Sequence, residues 1–186
     1  MSDALRETEL STDTVFRGHL LHVKHDRVML PNGSETGREY IVHPGAVLVV
    51  PLLDNGRLVF ERQFRYPLRK TFIELPAGKI DPNENPLATG QRELLEETGY
   101  TAREWQYLTI LHPCIGYSDE RILIYLATGL QEGRHCRDHD ESLEIFTLSL
   151  EQAMLAMQRG EISDGKTMIA LFWAEKHLQG TWAPRP

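Results

Sequence analysis

Cysteine is scarce in this chain. Its 186 residues hold two, Cys114 and Cys136, too few for a disulfide framework. Long hydrophobic runs are missing as well. The longest, residues 46–53, is interrupted by Pro51 and falls far short of the roughly 20 residues a membrane-spanning helix needs. There is no excess of basic charge: 20 Lys and Arg stand against 27 Asp and Glu, a net charge of −7. Without a basic run, neither nucleic acid nor a membrane surface is an expected partner. The first ten residues, MSDALRETEL, are acidic and lack an apolar core, unlike a secretory signal. No internal repeat or low-complexity segment is present. These absences point to a reducing, cytoplasmic compartment. What is there is ordinary globular composition, 41% hydrophobic and 25% charged. The length suits one domain, or one domain with a small appendage.

The first half of the chain reads as strands. Residues 14–25 and 26–30 alternate, with an Asn32-Gly33 turn signal behind them, and residues 40–42 are a further short candidate. Residues 1–44 are expected to form a small antiparallel β unit, with a boundary at His43-Pro44-Gly45 and the main domain over 45–186. Residues 46–53 suit a strand buried on both faces, bulged or edge-facing at Pro51. Asp54-Asn55-Gly56 is a hairpin turn, and residues 58–66 alternate behind it. A short apolar strand is expected over 72–75. Asn85 then caps a helix that has Pro86 at its first position and runs to Thr98, with Gly99 as its terminating glycine. Residues 105–111, 121–127 and 143–148 read as strands; 150–159 and 165–178 read as helices. Strands and helices mixed in one domain give an α/β layered architecture.

The chemistry concentrates between Gly78 and Gly99. Glu93 and Glu97 lie one helical turn apart on one face, with Glu96 beside them. Three like charges there destabilise a helix, and the macrodipole disfavours anions near its C-terminus. A divalent cation relieves both costs, and hard oxygen ligands suit magnesium or manganese. A solvated acidic helix face is the other reading of the same charges.

The spacing decides between them. Gly78, Glu84, Arg92, Glu93, Leu94, Glu96, Glu97 and Gly99 match the specified positions of the Nudix box, which ends here at Tyr100 where an aliphatic residue is usual. The chain is identified on these residues as resembling the Nudix hydrolases. Thr89 and Gly90 stand where two alanines are common. A mid-helix glycine costs roughly 1 kcal/mol against alanine, so close packing of the helix on a sheet is expected at Gly90. Further segments resemble the ADP-ribose pyrophosphatase, or nucleoside diphosphate sugar hydrolase, branch: Gln63-Phe64-Arg65-Tyr66-Pro67, Glu74-Leu75-Pro76-Ala77-Gly78-Lys79, His43-Pro44-Gly45-Ala46-Val47, Gly116-Tyr117-Ser118-Asp119-Glu120 and residues 160–167. That branch often has a proline where this chain has Ile115; Pro113 lies two residues earlier. The proline goes with ADP-ribose preference, so its displacement bears on substrate rather than on family.

The resemblance implies a Nudix α/β/α sandwich with a mixed sheet, behind the N-terminal β unit. It implies a metal site made of the Ala77 carbonyl, Glu93, Glu96 and Glu97, holding magnesium or manganese. Arg92 is expected to orient a box carboxylate, and Glu84 to be structural. Arg65 is the expected phosphate contact, since a guanidinium fork takes phosphate oxygens in pairs; Gln63 and Glu74 accompany it as substrate-binding residues. Glu141 is the first candidate for general base, with Glu96 and Asp140 as alternatives. The implied reaction is hydrolysis of the pyrophosphate of a nucleoside diphosphate sugar, ADP-ribose first, giving AMP and ribose 5-phosphate. A GDP-sugar, a dinucleotide cofactor, or a regulator without turnover are the other possibilities. Relatives in this branch are commonly homodimers, which suits a β unit too small to bury a core alone.

Two patterns compete with this assignment. Residues 160–167, Gly-Glu-Ile-Ser-Asp-Gly-Lys-Thr, match a P-loop, but a P-loop follows a strand and residues 150–159 read as a helix. Ser163-Asp164 is the expected cap of the next helix. The segment from His135 to Glu141 is rich in His, Cys and Asp, but without paired ligand spacing it reads as a solvated loop.

Overall fold

The computed structural model describes residues 3–133 and 142–182. They fall into two compact units: Met1–Pro44 with His112–Arg121, and Gly45–Leu111 with Ile122–Pro186.

In the first unit β1 (Thr8–Arg17), β2 (His22–Met29) and β3 (Glu35–Val42) form an antiparallel meander. The alternation over 14–25 is therefore two strands, not one. The Gly18 N–H donates to the Leu21 carbonyl at 2.8 Å, and Thr14 faces Lys24 across the hairpin. A period-two pattern continues through a tight reversal, so alternation alone does not reveal the turn. The second turn falls at Asn32-Gly33, where the Gly33 N–H donates to Leu30 and the Ser34 N–H to the Asn32 side chain. Residues 40–42 are the end of β3. Residues 112–121 join this unit by a bridge between Ile41 and Ser118 and by the His43 N–H, which donates to Asp119 Oδ1 at 2.7 Å. All ten residues of β1 are exposed.

The second unit is built around β4 (Ala46–Pro51), buried at all six positions. It lies in a mixed sheet ordered β7 (Ala77–Lys79), β4, β9 (Ile122–Glu132), β8 (Tyr100–Leu111); β4 and β9 run parallel and the other pairs antiparallel. The alternation of β4 divides two cores. Val47 and Val49 pack with Leu94 and Trp105 on one face. Leu48 and Val50 pack with Leu58, Phe60, Ala170, Leu171 and Ala174 on the other. Each fully buried Leu, Val or Phe contributes on the order of 1.5–3 kcal/mol. Pro51 has only β9 beside it, because β7 stops opposite Leu48, so its missing N–H leaves no ladder bond unmade.

A second, antiparallel sheet is ordered β10 (Leu143–Ser149), β5 (Arg57–Arg65), β6 (Lys70–Glu74). Helices α2 (Leu150–Gln158) and α3 (Gly165–Leu178) contribute to the same core as β5. Helix α1 (Pro86–Glu93) packs on β4 and β7. The α/β/α layering expected from the sequence is thus present, with β4 at its centre. Among the described residues no helix is long and apolar enough to cross a membrane.

Candidate active site

Helix α1 starts where its sequence dictates. Asn85 accepts the Leu87 N–H at 2.9 Å, and Pro86 takes the first position. The helix does not continue in α form to Thr98. Residues Leu94–Thr98 form a π-helical turn that ends at Gly99, whose φ is +77°. Such turns accommodate an extra residue and re-aim side chains, and are frequent at functional sites. This one carries Glu96 and Glu97.

Arg92 is the hub of the box. It donates to Glu84 through Nε and Nη2, both at 3.0 Å, and to the Lys79 carbonyl at 3.2 Å. Its Nη1 reaches Glu93 at 2.8 Å and Glu96 at 3.0 Å. Glu84 also accepts from the Thr89 hydroxyl at 2.7 Å and the Asp81 N–H at 3.2 Å. Arg92 first, and Thr89 second, hold the Glu84 carboxyl at about 2, below its ordinary 4.5. The guanidinium is pushed up in turn, chiefly by Glu84. Glu97 is 4% exposed and accepts the Ala77 N–H at 3.0 Å. Glu93 lies against Gly78 so closely that a Cβ there would stand 1.8 Å from its Oε1. Any other residue at 78 must displace that carboxylate. Gly90 has a similar reason: a Cβ would meet Val47 at 3.1 Å and Trp105 at 3.3 Å, the close helix–sheet packing expected there.

The second polar cluster joins β5, β6 and α3. Arg65 donates to Glu74 through Nε and Nη2, both at 2.7 Å, while its side chain stays 41% exposed. Glu74 is 2% exposed and also accepts from Lys166. Burial pushes the Glu74 carboxyl up, but the two cations outweigh it and the net shift is downward. Lys166 donates as well to Asp164 at 2.9 Å, and Asp164 caps α3 on the Thr167 N–H at 3.1 Å. Buried Glu61 faces Glu74 across the β5–β6 pair.

This combination of a cation shared by several box carboxylates, an arginine fork on β5 and an α/β/α scaffold agrees with the family match. The NUDIX domain family model matches residues 42–171. The chain belongs to the NUDIX domain family.

Two relatives of this Nudix chain span nearly its whole length. An ADP-ribose pyrophosphatase of Bacillus subtilis (strain 168) is 37% identical over 90% of the chain and 92% of the relative. A methanol dehydrogenase activator of Bacillus methanolicus is 36% identical over 92% of the chain and 94% of the relative. The crystal structure of an ADP compounds hydrolase superposes with a TM-score of 0.86 at 26% identity, covering 96% of this chain and 98% of that one. The chain is a Nudix pyrophosphohydrolase closely related to ADP-ribose pyrophosphatases.

Within the Nudix box, the expected residues Ala77, Arg92, Glu93, Glu96 and Glu97 fall on β7, α1 and the π turn. Among the described residues, no three acidic, histidine or cysteine side chains are grouped so as to hold a metal ion, and Arg92 bridges Glu93 to Glu96. Glu97 and Glu93 nevertheless both meet the Ala77-Gly78 backbone. A donor set of hard oxygens with few carboxylates fits a cation that keeps several waters and takes substrate phosphate. Arg65 and Glu74 bind each other. Gln63 precedes them on the same strand face, its Oε1 buried and accepting nothing from the described residues. Glu141, Asp140 and the 135–141 segment lie outside the described residues.

Sequence reasoning missed Lys166 and Glu61. Lys166 stood in a pattern set aside as a P-loop. Two glutamates that directly follow apolar stretches, Glu61 after Leu58-Val59-Phe60 and Glu74 after Phe72-Ile73, were the available signal, because a carboxylate is rarely buried unless paired.

Proposed function

We propose that this chain hydrolyses the pyrophosphate bond of ADP-ribose to AMP and ribose 5-phosphate, using magnesium, with manganese able to replace it. The observation that carries the substrate is the arginine fork beside an intact set of box glutamates, in a chain 37% identical to a protein named ADP-ribose pyrophosphatase. Residues 45–186 carry the catalytic domain and 1–44 the accessory β unit, which residues 112–121 join.

The Ala77 carbonyl, Glu93, Glu96 and Glu97 would hold the metal. When bound, magnesium supplies neutralising charge to the pyrophosphate and acidifies water. The chain's own residues do the rest. Arg65 uses Nε and Nη2 on Glu74, which leaves the outer edge of its guanidinium for phosphate oxygens, where it stabilises charge as the bond breaks. Arg92 keeps Glu93 and Glu96 in place. Glu141 takes the proton from the attacking water. Glu96 is the weaker candidate, because its Oε2 is already engaged by Arg92 Nη1 at 3.0 Å.

A homodimer is part of this reading. A strand exposed at every position, with Leu10, Val15 and Phe16 on it, is an edge and a surface that a second copy covers. The two-cysteine composition supports a cytoplasmic setting.

A panel of ADP-ribose, a GDP-sugar and a dinucleotide, with magnesium and with chelator, read for phosphate products, tests the proposal. ADP-ribose should be cleaved fastest, and only with metal. Faster cleavage of another substrate moves the assignment to that substrate, the outcome that the Ile115 position favours. No turnover on any member leaves the regulator, which the activator relative favours. Within an active enzyme, Glu141→Gln should lower kcat by roughly 10²–10⁴-fold, the contribution of a general base. Wild-type turnover in that variant moves the base to Asp140 or Glu96.

A further inference from the structure

We propose that Lys166 is a positioning residue for the substrate's phosphates, acting through Glu74 on Arg65. The inference rests on Arg65 being the phosphate contact.

The side chains form a continuous line. Asp164 and Glu74 share the Lys166 ammonium, and Glu74 gives both carboxylate oxygens to Arg65. The line starts at the cap of α3, crosses to the end of β6, and finishes at the end of β5. A second fastening runs beside it. The Leu75 N–H donates to the buried Thr167 hydroxyl at 3.0 Å. One turn of α3 therefore grips Glu74 by its side chain and Leu75 by its backbone. Two residues further along, Ala77 meets Glu97. The first turn of α3 thus holds the segment that separates the arginine fork from the box carboxylates.

The chemistry argues that this is more than a structural tie. A lysine in the first turn of a helix opposes the macrodipole, and Asp164 alone would suffice as the cap. Burying Glu74 is costly, and an ion pair of this kind adds little stability over a well-packed apolar pair. What the line does supply is a fixed guanidinium. Glu74 takes the Nε and Nη2 side of Arg65, so the outer edge points away from the strand in one orientation. A half-exposed arginine without that anchor samples many rotamers, and freezing it on the substrate weakens binding. Lys166 prevents Glu74 from turning, since it occupies the same Oε2 that Arg65 Nη2 uses.

The test is a double-mutant cycle on ADP-ribose hydrolysis with magnesium, comparing wild type, Lys166→Met, Arg65→Ala and the double variant. Lys166→Met should raise KM by roughly 3- to 10-fold with kcat within about 2-fold, less than Arg65→Ala because the contact is loosened rather than lost. In the Arg65→Ala background the same change should leave KM as it was. Lys166→Arg should restore KM by restoring the cation. A purely structural role would lower the melting temperature equally in both backgrounds and leave KM alone. An unchanged KM in Lys166→Met, or an equal rise with and without Arg65, overturns the proposal. Lys166→Ala, which cannot donate to Glu74, serves if the methionine variant does not fold; wild-type KM in the folded alanine variant overturns it too. An unchanged KM in Arg65→Ala alone is a different failure, that of the phosphate assignment itself.

Discussion

The two polar clusters of the second unit differ in their charge balance. Around Arg92 one cation serves Glu84, Glu93 and Glu96, with buried Glu97 beside them on Ala77. Around Glu74 two cations, Arg65 and Lys166, stand against two directly bonded carboxylates, Glu74 and Asp164. The first cluster gathers its carboxylates around a single shared guanidinium. In the second each directly bonded carboxylate has a cation of its own or a shared one, and the cluster acts as a frame. An enzyme acting on a pyrophosphate has use for both: a cluster rich in carboxylates, and a rigid frame that fixes where the anion lies.

The comparison breaks first at Glu97. Glu97→Gln preserves the side-chain oxygen that accepts the Ala77 N–H and removes one negative charge. Hydrolysis should fall by at least ~100-fold, the upper scale for disturbing a metal site's close support. In chelator the variant should melt higher than wild type, since a buried amide is cheaper than a buried carboxylate. Full activity, or a lower melting temperature in chelator, would mean that the Glu97 charge neither serves a metal nor costs stability without one.

Arg65→Ala probes the second cluster. It should weaken every diphosphate substrate by a similar factor of about 10- to 150-fold, the worth of a charged hydrogen bond at roughly 1.5–3 kcal/mol. A phosphate contact carries no base information. Kinetics on ADP-ribose and on one GDP-sugar decide the point, and loss on only one of them assigns Arg65 to the nucleoside or sugar instead.

Arg92→Met sharpens the contrast in stability rather than rate. It removes the guanidinium that Glu84, Glu93 and Glu96 share, and unfolding in denaturant should show a loss of about 1–3 kcal/mol at neutral pH. An unchanged midpoint would show that solvent already compensates the cluster.

The smallest effect is in acid. Glu84 titrates at about 2 in the folded chain against 4.5 ordinarily, so its carboxylate favours folding wherever it is ionised. That contribution is complete above about pH 4.5 and disappears as pH falls from there towards 2. In Arg92→Met the loss across this window should shrink, as followed by circular dichroism. An equal acid sensitivity in both proteins would assign it to other carboxylates.

The sequence alone determined whatever is local. The box glutamates share one side of a short helical stretch because residues three and four apart are neighbours on a helix. Asn85, Pro86 and Gly99 set the ends of that stretch by their own backbone chemistry. The apolar run at β4 announced a strand buried on both faces. Even Gly90 was legible, as a residue with a cost that only packing explains. Locality also set the limits. The alternation at 14–25 runs through the Gly18 turn, since a pattern of period two carries no sign of direction. The π turn at Leu94–Thr98 has the composition of an ordinary helix. Only the tertiary structure decided that Glu93 presses on Gly78, that residues 112–121 join the N-terminal strands, and that Arg65, Glu74 and Lys166 form one line. Lys166 and Glu74 are 92 positions apart. No period links such residues: their meeting depends on how α3 lies on the end of β6, which the whole buried core fixes and no single segment encodes.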